Sequence, residues 1–444
     1  MAEIFFVAGL GYGDEGKGSV VDFLAELSGS ETIVRYNGGP QAAHHVVRNG
    51  FTHCFSQFGS GTFANGSRTY LSEHMLVDPL ALAIEEETLR QKGVVDGFDR
   101  LYIDGKCSVI TPMQKIVGQM RELSARYGSC GMGVGEAVRD RQYLNGTSLS
   151  ITDLQDVGTV QSKLDFLWRF KLDHAEQIAD ENPHHKGIQS GYERIKDASL
   201  VKRVLDFYQG FAEKINIISG FNLSGNVIFE GAQGVLLDVD YGFVPHVTKT
   251  KTKFDNAYDL ISGCQRVRRI GVLRAYGTRH GAGPFVSDDM GLTKKIPDMH
   301  NGMHEWQGKF RIGWLDILVS RYALETIGGV DGIALTNLDR LQGVNPVRVC
   351  TAYEYTGNEN IGGFFDYEIV NGRKIIHRIK VQDKIDARKQ QELTTHLFNC
   401  KPIYIEFSGD ENDYLSLLES ELTAPIVIVS KGPESKDKSI LRGI

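Results

Sequence analysis

The chain has 444 residues, of which 41% are hydrophobic and 24% charged, and its formal net charge is -7. A chain of this length and composition can bury a sizeable core and form two or three lobes of a globular protein. The acidic balance argues against a general DNA- or RNA-binding protein, although a nucleotide site needs only local positive charge.

The first elements along the chain predict a strand, a loop, a helix and a second strand. Residues 3–10 are rich in Ile, Phe and Val and predict a buried strand, and residues 32–39 predict the next one. Between them lie a glycine loop and a helical pattern that ends at Gly29. This order is a βαβ unit, which favours a parallel sheet. The N-terminal apolar run is short and has no basic flank, so we expect no signal peptide, no membrane span and a cytoplasmic protein.

The remaining elements favour an α/β fold. Helical spacing of apolar residues occurs in two segments, 112–128 and 160–180, and an amphipathic pattern covers 380–397. Buried strands are predicted at 226–234, 270–277, 332–339, 347–355, 402–409 and 424–432. We therefore expect a P-loop-like, mostly parallel central sheet with an inserted helical lobe and a C-terminal α/β layer. The corresponding domains are a central nucleotide-binding core (1–101 and 205–265), a helical insertion (102–204) and a C-terminal α/β region (266–444).

The glycine loop GYGDEGKG (11–18) fits the phosphate-binding pattern G-x-x-x-x-G-K and lies between a strand and a helix. Backbone N–H groups at the start of that helix can bind phosphate, and Lys17 can reach a terminal phosphate. Gly18 stands where such loops usually have the Ser or Thr that binds magnesium. Asp14 is therefore the candidate magnesium ligand. The alternative is a surface turn with capping carboxylates.

Several further blocks follow in a defined order. G-D-E-G-K-G resembles the signature of the adenylosuccinate synthetase family, and RYNGGPQAAHHVV (35–47) resembles its R-Y-x-G-G-x-N-A-G-H-T. SCGMGVGEAVRDR (129–141) is similar to T-T-x-x-G-I-G-P, and FEGAQGVLLDVDYGFVPHVT (229–248) is similar to F-E-G-A-Q-G-x-L-L-D-x-D-x-G-T-Y-P-x-V-T. LRAYGTRHGAGPF (273–285) resembles K-A-Y-x-T-R-V-G-x-G-P-F. GWLD, TNLD and SKGP match the later blocks, so the resemblance spans nearly the whole chain.

The resemblance implies a GTP-dependent ligase of purine biosynthesis. GTP would phosphorylate O6 of IMP, and the amine of L-aspartate would displace the phosphate to give adenylosuccinate, GDP and phosphate. The 6-phosphoryl-IMP intermediate turns a poor leaving group into a good one. The resemblance also implies Mg²⁺ as cofactor and a homodimer, with no nucleic-acid or membrane partner.

The family roles pass to individual residues of this sequence. Asp14 would remove the N1 proton and contact Mg²⁺, and His44 would donate a hydrogen bond to the transferring phosphoryl group. Lys17 would hold the γ-phosphate, Gln233 would contact the purine nucleotide, and the Ala43 carbonyl would bind Mg²⁺. Asp14, Lys17, His44 and Gln233 form the expected catalytic set.

The resemblance also implies three binding sets. The GTP set is Gly13, Glu15, Gly16, Lys17, Gly18, Asn337, Asp339, Ser430, Gly432 and Pro433. The IMP set is Asp14, Gln41, Ser129, Cys130, Gln233 and Thr248. The amino-acid set is Gly308, Lys309 and Arg311.

The departures from the family pattern fall on the acceptor and amino-acid sites, with one exception in the guanine block. Gln41 replaces an Asn, a Ser-Cys pair at 129–130 replaces Thr-Thr, and the Arg that a partner subunit supplies has no clean counterpart. HEWQGKFRIGWLD (304–316) stands for T-T-G-R-x-R-R-x-G-W-L-D, with Glu305 and Trp306 where the family has hydroxyl residues. The exception is Asn337, which replaces a Lys that stacks on guanine.

Four functions remain open from the sequence. The first is an IMP–aspartate ligase, and the second is a paralogue that joins an amine or amino acid to another 6-oxopurine nucleotide such as GMP or dGMP. The third is a GTP-binding module without catalysis, and the fourth a simple P-loop NTPase switch. The bacteriophage branch that makes a 2-aminoadenine precursor usually has Ser in place of the loop aspartate, so Asp14 favours the first reading.

Overall fold

The computed structural model describes residues 3–64, 66–126, 128–144, 146–220, 222–261, 266–298, 303–304, 306 and 308–443. Its strands are β1 (Ile4–Gly9), β2 (Thr32–Arg35), β3 (His44–Arg48), β4 (Phe51–Phe55), β5 (Arg68–Leu71), β6 (Leu76–Val77), β7 (Leu101–Asp104), β8 (Ser108–Val109), β9 (Asn216–Ile218), β10 (Val227–Gly234), β11 (Val267–Arg274), β12 (Gly277–His280), β13 (Met303–His304), β14 (Gly308–Gly313), β15 (Leu315–Asp316), β16 (Gly332–Thr336), β17 (Val347–Tyr355), β18 (Phe365–Val370), β19 (Arg373–Ile379), β20 (Cys400–Phe407), β21 (Ile426–Ser430) and β22 (Lys438–Ile440). Its helices are α1 (Lys17–Ser28), α2 (Pro79–Gln91), α3 (Pro112–Ala125), α4 (Val134–Tyr143), α5 (Val157–Glu181), α6 (Lys186–Lys196), α7 (Ser199–Ala212), α8 (Asp255–Asp259), α9 (Met290–Lys295), α10 (Ile317–Thr326), α11 (Ala387–Phe398) and α12 (Glu411–Leu422). Within these ranges, no helix has both the length and the apolar character of a membrane span.

A ten-stranded sheet forms the centre of the protein, in the order β22-β21-β16-β11-β1-β10-β2-β5-β7-β9. Neighbouring strands are parallel, and the edge pair β21–β22 is the antiparallel exception in the described chain. Every residue of β1 is buried, as in a parallel sheet that is covered on both faces. The α/β class with a mostly parallel central sheet is thereby confirmed.

The parallel direction of these strands places many loops at one edge of the sheet. The loops after β1, β2, β10, β11, β16 and β21 all leave from the carboxyl ends of neighbouring strands. This edge is where ligands bind in open α/β sheets. The glycine loop follows β1, which lies near the middle of the row.

The remaining elements surround this sheet. Helices α3 to α7 lie between β8 and β9, and α3 and α5 confirm the two helices expected at 112–128 and 160–180. Strands β15 and β17 to β20 form a five-stranded sheet, and β12 to β14 form a three-stranded antiparallel one. The amphipathic pattern at 380–397 is helical only from Ala387, because the Asp386 side chain caps the helix there.

The region after residue 266 contributes to both parts of the structure. It supplies β11, β16, β21 and β22 to the central sheet and all of the five-stranded sheet. The domain boundaries expected from the sequence stay a prediction.

Candidate active site

A buried ion pair between Glu15 and Lys17 lies inside the glycine loop. Gly13 and Gly16 have φ angles of 114° and 88°, which suit glycine. The carboxylate of Glu15 accepts hydrogen bonds from the Gly13 N–H and the Lys17 ammonium, both at 2.7 Å. Lys17 also donates to the Gly13 carbonyl at 2.9 Å. Glu15 and Lys17 are only 3% and 1% exposed, so this ion pair lies inside the loop.

Asp14 occupies the accessible side of the same loop. Its side chain is 25% exposed, and its Oδ2 lies 3.5 Å from Nε2 of His280. Burial raises the pKa of Asp14 above its ordinary value, although His280 and Arg274 oppose this shift. A carboxylate with a raised pKa is a better proton acceptor, as a general base requires.

The structure explains why the loop ends in Gly18 rather than Ser or Thr. A Cβ at this position would lie 2.7 Å from Cβ of His44 and 3.0 Å from its carbonyl carbon. The first turn of α1 therefore packs directly against the backbone of β3. The close approach excludes the metal-binding hydroxyl of an ordinary P-loop.

His44 points into the protein and is held by a carboxylate that the sequence reading missed. Burial alternates along β3, so His44 is buried while His45 is exposed. Nδ1 of His44 lies 2.5 Å from Glu230, which also accepts from the Ser60 N–H at 2.8 Å. Burial would raise the pKa of Glu230, but Arg35, His44 and Ser60 lower it to about 2. Burial lowers the pKa of His44 to about 4 against the influence of Glu230.

This pairing fixes the tautomer of the His44 ring. An ionised Glu230 can only accept a hydrogen bond, so Nδ1 of His44 carries the proton. In the neutral ring, Nε2 is then the unprotonated nitrogen. Glu230 belongs to the segment FEGAQG, in which only Gln233 was predicted to be a site residue. The available signal was an acidic residue within an otherwise apolar and glycine-rich strand.

Two glutamines, Gln41 and Gln233, have incomplete hydrogen bonding. Both polar atoms of the Gln41 amide, and Oε1 of Gln233, are buried and make no hydrogen bond within the described ranges. Gln233 also adopts a left-handed φ of 62°, and its Cα would lie 3.6 Å from a Cβ at Gly13. Buried amides are normally satisfied, so these two indicate a position where a ligand or water completes the network. Backbone conformations of this kind concentrate at functional sites.

The loop that follows α3 carries two of the expected acceptor residues and contacts Trp306. The Ser129 hydroxyl accepts a 3.3 Å hydrogen bond from the Gly131 N–H, and burial raises the pKa of the Cys130 thiol. The Trp306 ring lies 3.2 Å from the place of a Cβ at Gly131. Glu305 lies outside the described residues. Trp306 therefore connects the segment before β14 to the acceptor loop.

Thr248, the other hydroxyl expected at the acceptor, is half-buried on the segment after β10. Its Oγ1 lies 3.4 Å from the Thr250 hydroxyl, and its N–H donates to the Leu237 carbonyl at 2.8 Å. The neighbouring Lys249 contacts the position of a Cβ at Gly135, 3.6 Å away. The segment thus lies beside the start of α4, next to the acceptor loop.

The amino-acid residues lie on β14 and at its start. Gly308 has a φ of 79°, and the exposed Lys309 places Nζ 3.5 Å from the sulfur of Met290. Arg311 instead donates to the Gly283 carbonyl at 2.9 Å and lies 3.5 Å from Asp288. Lys309 is consequently more available to an arriving carboxylate than Arg311.

The expected guanine residues follow β16 and β21, which are neighbouring parallel strands. The Thr336 hydroxyl donates to the Glu15 carbonyl at 2.5 Å and so connects the end of β16 to the glycine loop. Asn337 has a φ of 57°, and its side-chain oxygen accepts from Nε of Arg274 at 3.1 Å. An arginine thus lies beside the position where the family pattern has lysine.

The end of β21 supplies the rest of this region. The Ser430 hydroxyl donates to the Gly432 carbonyl at 2.9 Å, and Pro433 is exposed. Asp339 is half-buried, and Lys438 is close enough for the aspartate charge to influence it. Burial lowers the pKa of Lys438 to about 8 against this influence.

The donor atoms suit a magnesium ion that is bound mainly by phosphates. The described ranges contain no group of three or more His, Cys, Asp or Glu residues that could hold a metal ion. Magnesium in phosphate-transfer sites uses one or two carboxylates together with phosphate and water oxygens. The accessible carboxylate of Asp14 and the exposed main chain at Ala43 fit that requirement.

Comparison with known proteins assigns the family. The model of the adenylosuccinate synthetase family matches residues 6–439. An adenylosuccinate synthetase from Thermoplasma volcanium is 30% identical, over 98% of this chain and 95% of its own length. One from Borrelia turicatae is 28% identical, over 99% of this chain and 98% of its own.

Solved structures show the same fold. A fully ligated adenylosuccinate synthetase from Plasmodium falciparum superposes with a TM-score of 0.71 at 21% identity, covering 99% of this chain and 100% of its own. A succinoaminodeoxyadenylate synthetase from cyanophage S-2L, bound to dGMP and dATP, gives a TM-score of 0.60 at 14% identity and covers 100% of this chain and 96% of its own. The chain belongs to the adenylosuccinate synthetase family of GTP-dependent ligases.

Proposed function

We propose that the protein joins L-aspartate to C6 of IMP in the cytoplasm, as a step of purine nucleotide biosynthesis. GTP is consumed, and the products are adenylosuccinate, GDP and phosphate. The observation that carries this proposal is a pair of amides with buried polar atoms that make no hydrogen bond within the described ranges. Gln233 lies beside the glycine loop that presents Asp14, and Gln41 lies beside Gly38, which packs on Ala232. A 6-oxopurine has the ring nitrogens and the O6 oxygen that such amides recognise.

The first step is phosphorylation of O6. Asp14 removes the proton from N1 as O6 attacks the γ-phosphorus of GTP, and the bond to GDP breaks. When bound to the nucleotide phosphates, Mg²⁺ neutralises charge on their oxygens, with Asp14 and the Ala43 carbonyl as its protein ligands. Lys17 exchanges Glu15 for a γ-phosphate oxygen.

His44 stabilises the transferring group. Glu230 accepts from Nδ1, so Nε2 is the nitrogen that serves the phosphoryl group. A hydrogen bond from Nε2 requires the protonated ring, which the ionised Glu230 on one side and phosphate charge on the other both favour. The pair thus places a cationic donor in a buried site only when substrate is present.

The other substrates bind on either side of the glycine loop. Asp339 accepts hydrogen bonds from guanine, and the loop from Ser430 to Pro433 surrounds the base. Lys309 and Arg311 bind the carboxylates of aspartate, whose amine attacks C6 and expels phosphate. We also propose a homodimer, because the resemblance implies an acceptor site that a partner subunit completes.

A second candidate is a paralogue that uses GMP or dGMP as the acceptor. The replaced acceptor residues Gln41, Ser129 and Cys130 favour it, as does the likeness in fold to a cyanophage enzyme bound to dGMP. The retained Asp14 favours IMP.

The test is a continuous GTPase assay of the purified protein with magnesium, crossing IMP, GMP and dGMP against a panel of amino acids. Each product is identified by mass spectrometry, and the isosteric Asp14→Asn variant is the matched control. The proposal predicts turnover that needs both IMP and aspartate, yields adenylosuccinate, and disappears in Asp14→Asn. Turnover only with GMP or dGMP would establish the second candidate, and no turnover with any pair would refute both.

A further inference from the structure

His280 lies next to the proposed base in a position that the family pattern gives to valine. It is the last residue of β12, within the segment TRHGAGPF that resembles the family's T-R-V-G-x-G-P-F. Its Nε2 is 3.5 Å from Oδ2 of Asp14, and the two side chains are 15% and 25% exposed. A small rotation of either side chain brings the pair into hydrogen-bond range.

Two other cations near Asp14 have partners of their own. Lys17 donates to Glu15 at 2.7 Å and to the Gly13 carbonyl. Arg274 donates to Asn337 at 3.1 Å and lies 3.4 Å from Asp298. In the described part of the chain, the contact between His280 and Asp14 is the one in which a cation-forming side chain lies 3.5 Å from the Asp14 carboxylate.

The imidazole is itself held by the amino-acid strand. His280 pairs with Phe310 in the antiparallel ladder between β12 and β14, and the two ring centroids are 4.7 Å apart. Phe310 is buried and directly follows Lys309, a proposed aspartate ligand. The ring contact limits where Nε2 can point, because a buried aromatic has little freedom to move.

We propose that His280 is a positioning residue for Asp14, and this inference rests on the proposed role of Asp14 as the base. The Nε2–H of His280 donates to Oδ2 of Asp14 and turns Oδ1 toward the N1 proton of the acceptor purine. Valine at this position makes no such bond, so the interaction is a property of this chain. The role belongs to the phosphorylation step and not to the attack by the amine.

The experiment separates these two steps in the enzyme with its best nucleotide pair. GTP labelled with ¹⁸O in the β,γ-bridge scrambles its label when phosphoryl transfer is reversible, and this exchange needs no amino acid. We compare the exchange rate, kcat and the KM for the amino acid in His280→Val, His280→Gln and wild type. Gln keeps a neutral N–H donor at similar reach, whereas Val keeps only bulk. His377→Val is the matched control, because His377 lies 3.0 Å from Glu368 on the distant strand β19.

We expect His280→Val to lower both the exchange rate and kcat by about 10- to 100-fold, the usual cost of a misplaced catalytic group. The KM for the amino acid should change little, His280→Gln should recover most of the loss, and His377→Val should match wild type. Equal exchange in His280→Val and wild type would overturn the inference, as would a loss in Gln as deep as in Val. A wild-type enzyme without turnover would instead refute the proposed function, and the role of His280 with it.

Discussion

Substituting Gly18 by Ala tests the close contact between the first turn of α1 and β3. Helix propensity alone predicts a gain in stability, since Ala is better than Gly by up to about 1 kcal/mol in a helix. The structure predicts a loss. The new Cβ would lie 2.7 Å from Cβ of His44 and 3.0 Å and 3.1 Å from its carbonyl carbon and Cα. Three atoms fixed to the backbone cannot avoid it by rotating a side chain.

The size of the loss follows from what must move. Overpacking a tight interface costs about 1–3 kcal/mol. Moving β3 also lengthens the bond between His44 and Glu230, which is worth about 1.5–3 kcal/mol as a hydrogen bond to a charged group. We expect a net destabilisation of about 1.5–5 kcal/mol after subtracting the gain in helix propensity. If His44 has its proposed catalytic role, a shift of about 1 Å should reduce kcat by about 100-fold.

The measurement is urea unfolding together with the GTPase assay, with Gly210→Ala as the control. Gly210 lies in α7, is exposed, and has no heavy atom within 4 Å of its added Cβ. That variant should be as stable as wild type or more so, and fully active. Gly18→Ser should fail like Gly18→Ala, although it supplies the hydroxyl of an ordinary P-loop. If Gly18→Ala is as stable and active as Gly210→Ala, the steric account of this loop is wrong.

Three further substitutions test the remaining parts of the site. Glu15→Ala leaves the 1% exposed ammonium of Lys17 without its carboxylate and should lower the free energy of unfolding by about 3–5 kcal/mol. Glu15→Gln should lower it by about 1–3 kcal/mol. Equal small losses in urea unfolding would contradict a stabilising role of the Glu15–Lys17 ion pair. Asp339→Asn should raise the KM for GTP by about 10- to 100-fold and relax the preference for guanine; unchanged GTP kinetics would place the guanine site elsewhere. Lys309→Ala should raise the KM for the amino acid by about 10-fold and leave the KM for GTP unchanged. Arg311 cannot fully replace the lost cation, because it donates to the Gly283 carbonyl. Equal effects on both substrates would show that Lys309 serves another role.

The local elements of this fold could be predicted from the sequence, because their signals are local. The apolar run of β1, the glycine loop and the apolar spacing of α1 lie within the first 28 residues. The parallel sheet followed from the order of these elements. The burial of His44 rather than His45 could not be predicted, since it depends on β3 beginning at His44 and facing α1.

The contacts between distant segments were beyond the sequence. His44 and Glu230 are 186 positions apart. They meet because β10 lies between β1 and β2, where Glu230 pairs with Val7 and Arg35, while His44 packs against the first turn of α1. The inward direction of Glu15 depends on how β10 and the loop pack around it, where a Cβ at Gly234 would lie 2.6 Å from its carboxylate. The resemblance places Glu15 in the GTP set, and that role stays a prediction.

The order of the sheet separates the proposed guanine residues from two of the proposed acceptor residues. Asn337 and Asp339 follow β16 and Ser430 ends β21 on one side of β1, whereas Gln233 lies in β10 and Gln41 follows β2 on the other side. In the proposed function, the two nucleotides therefore meet at the glycine loop but contact different strand ends. Changes at Gln41, Ser129 and Cys130 can alter the acceptor without displacing Asp14 or Lys17, since these belong to the loop after β1. Phosphoryl transfer and acceptor choice can thus diverge separately, which is why the nucleotide panel, and not the GTPase rate alone, distinguishes IMP from its alternatives.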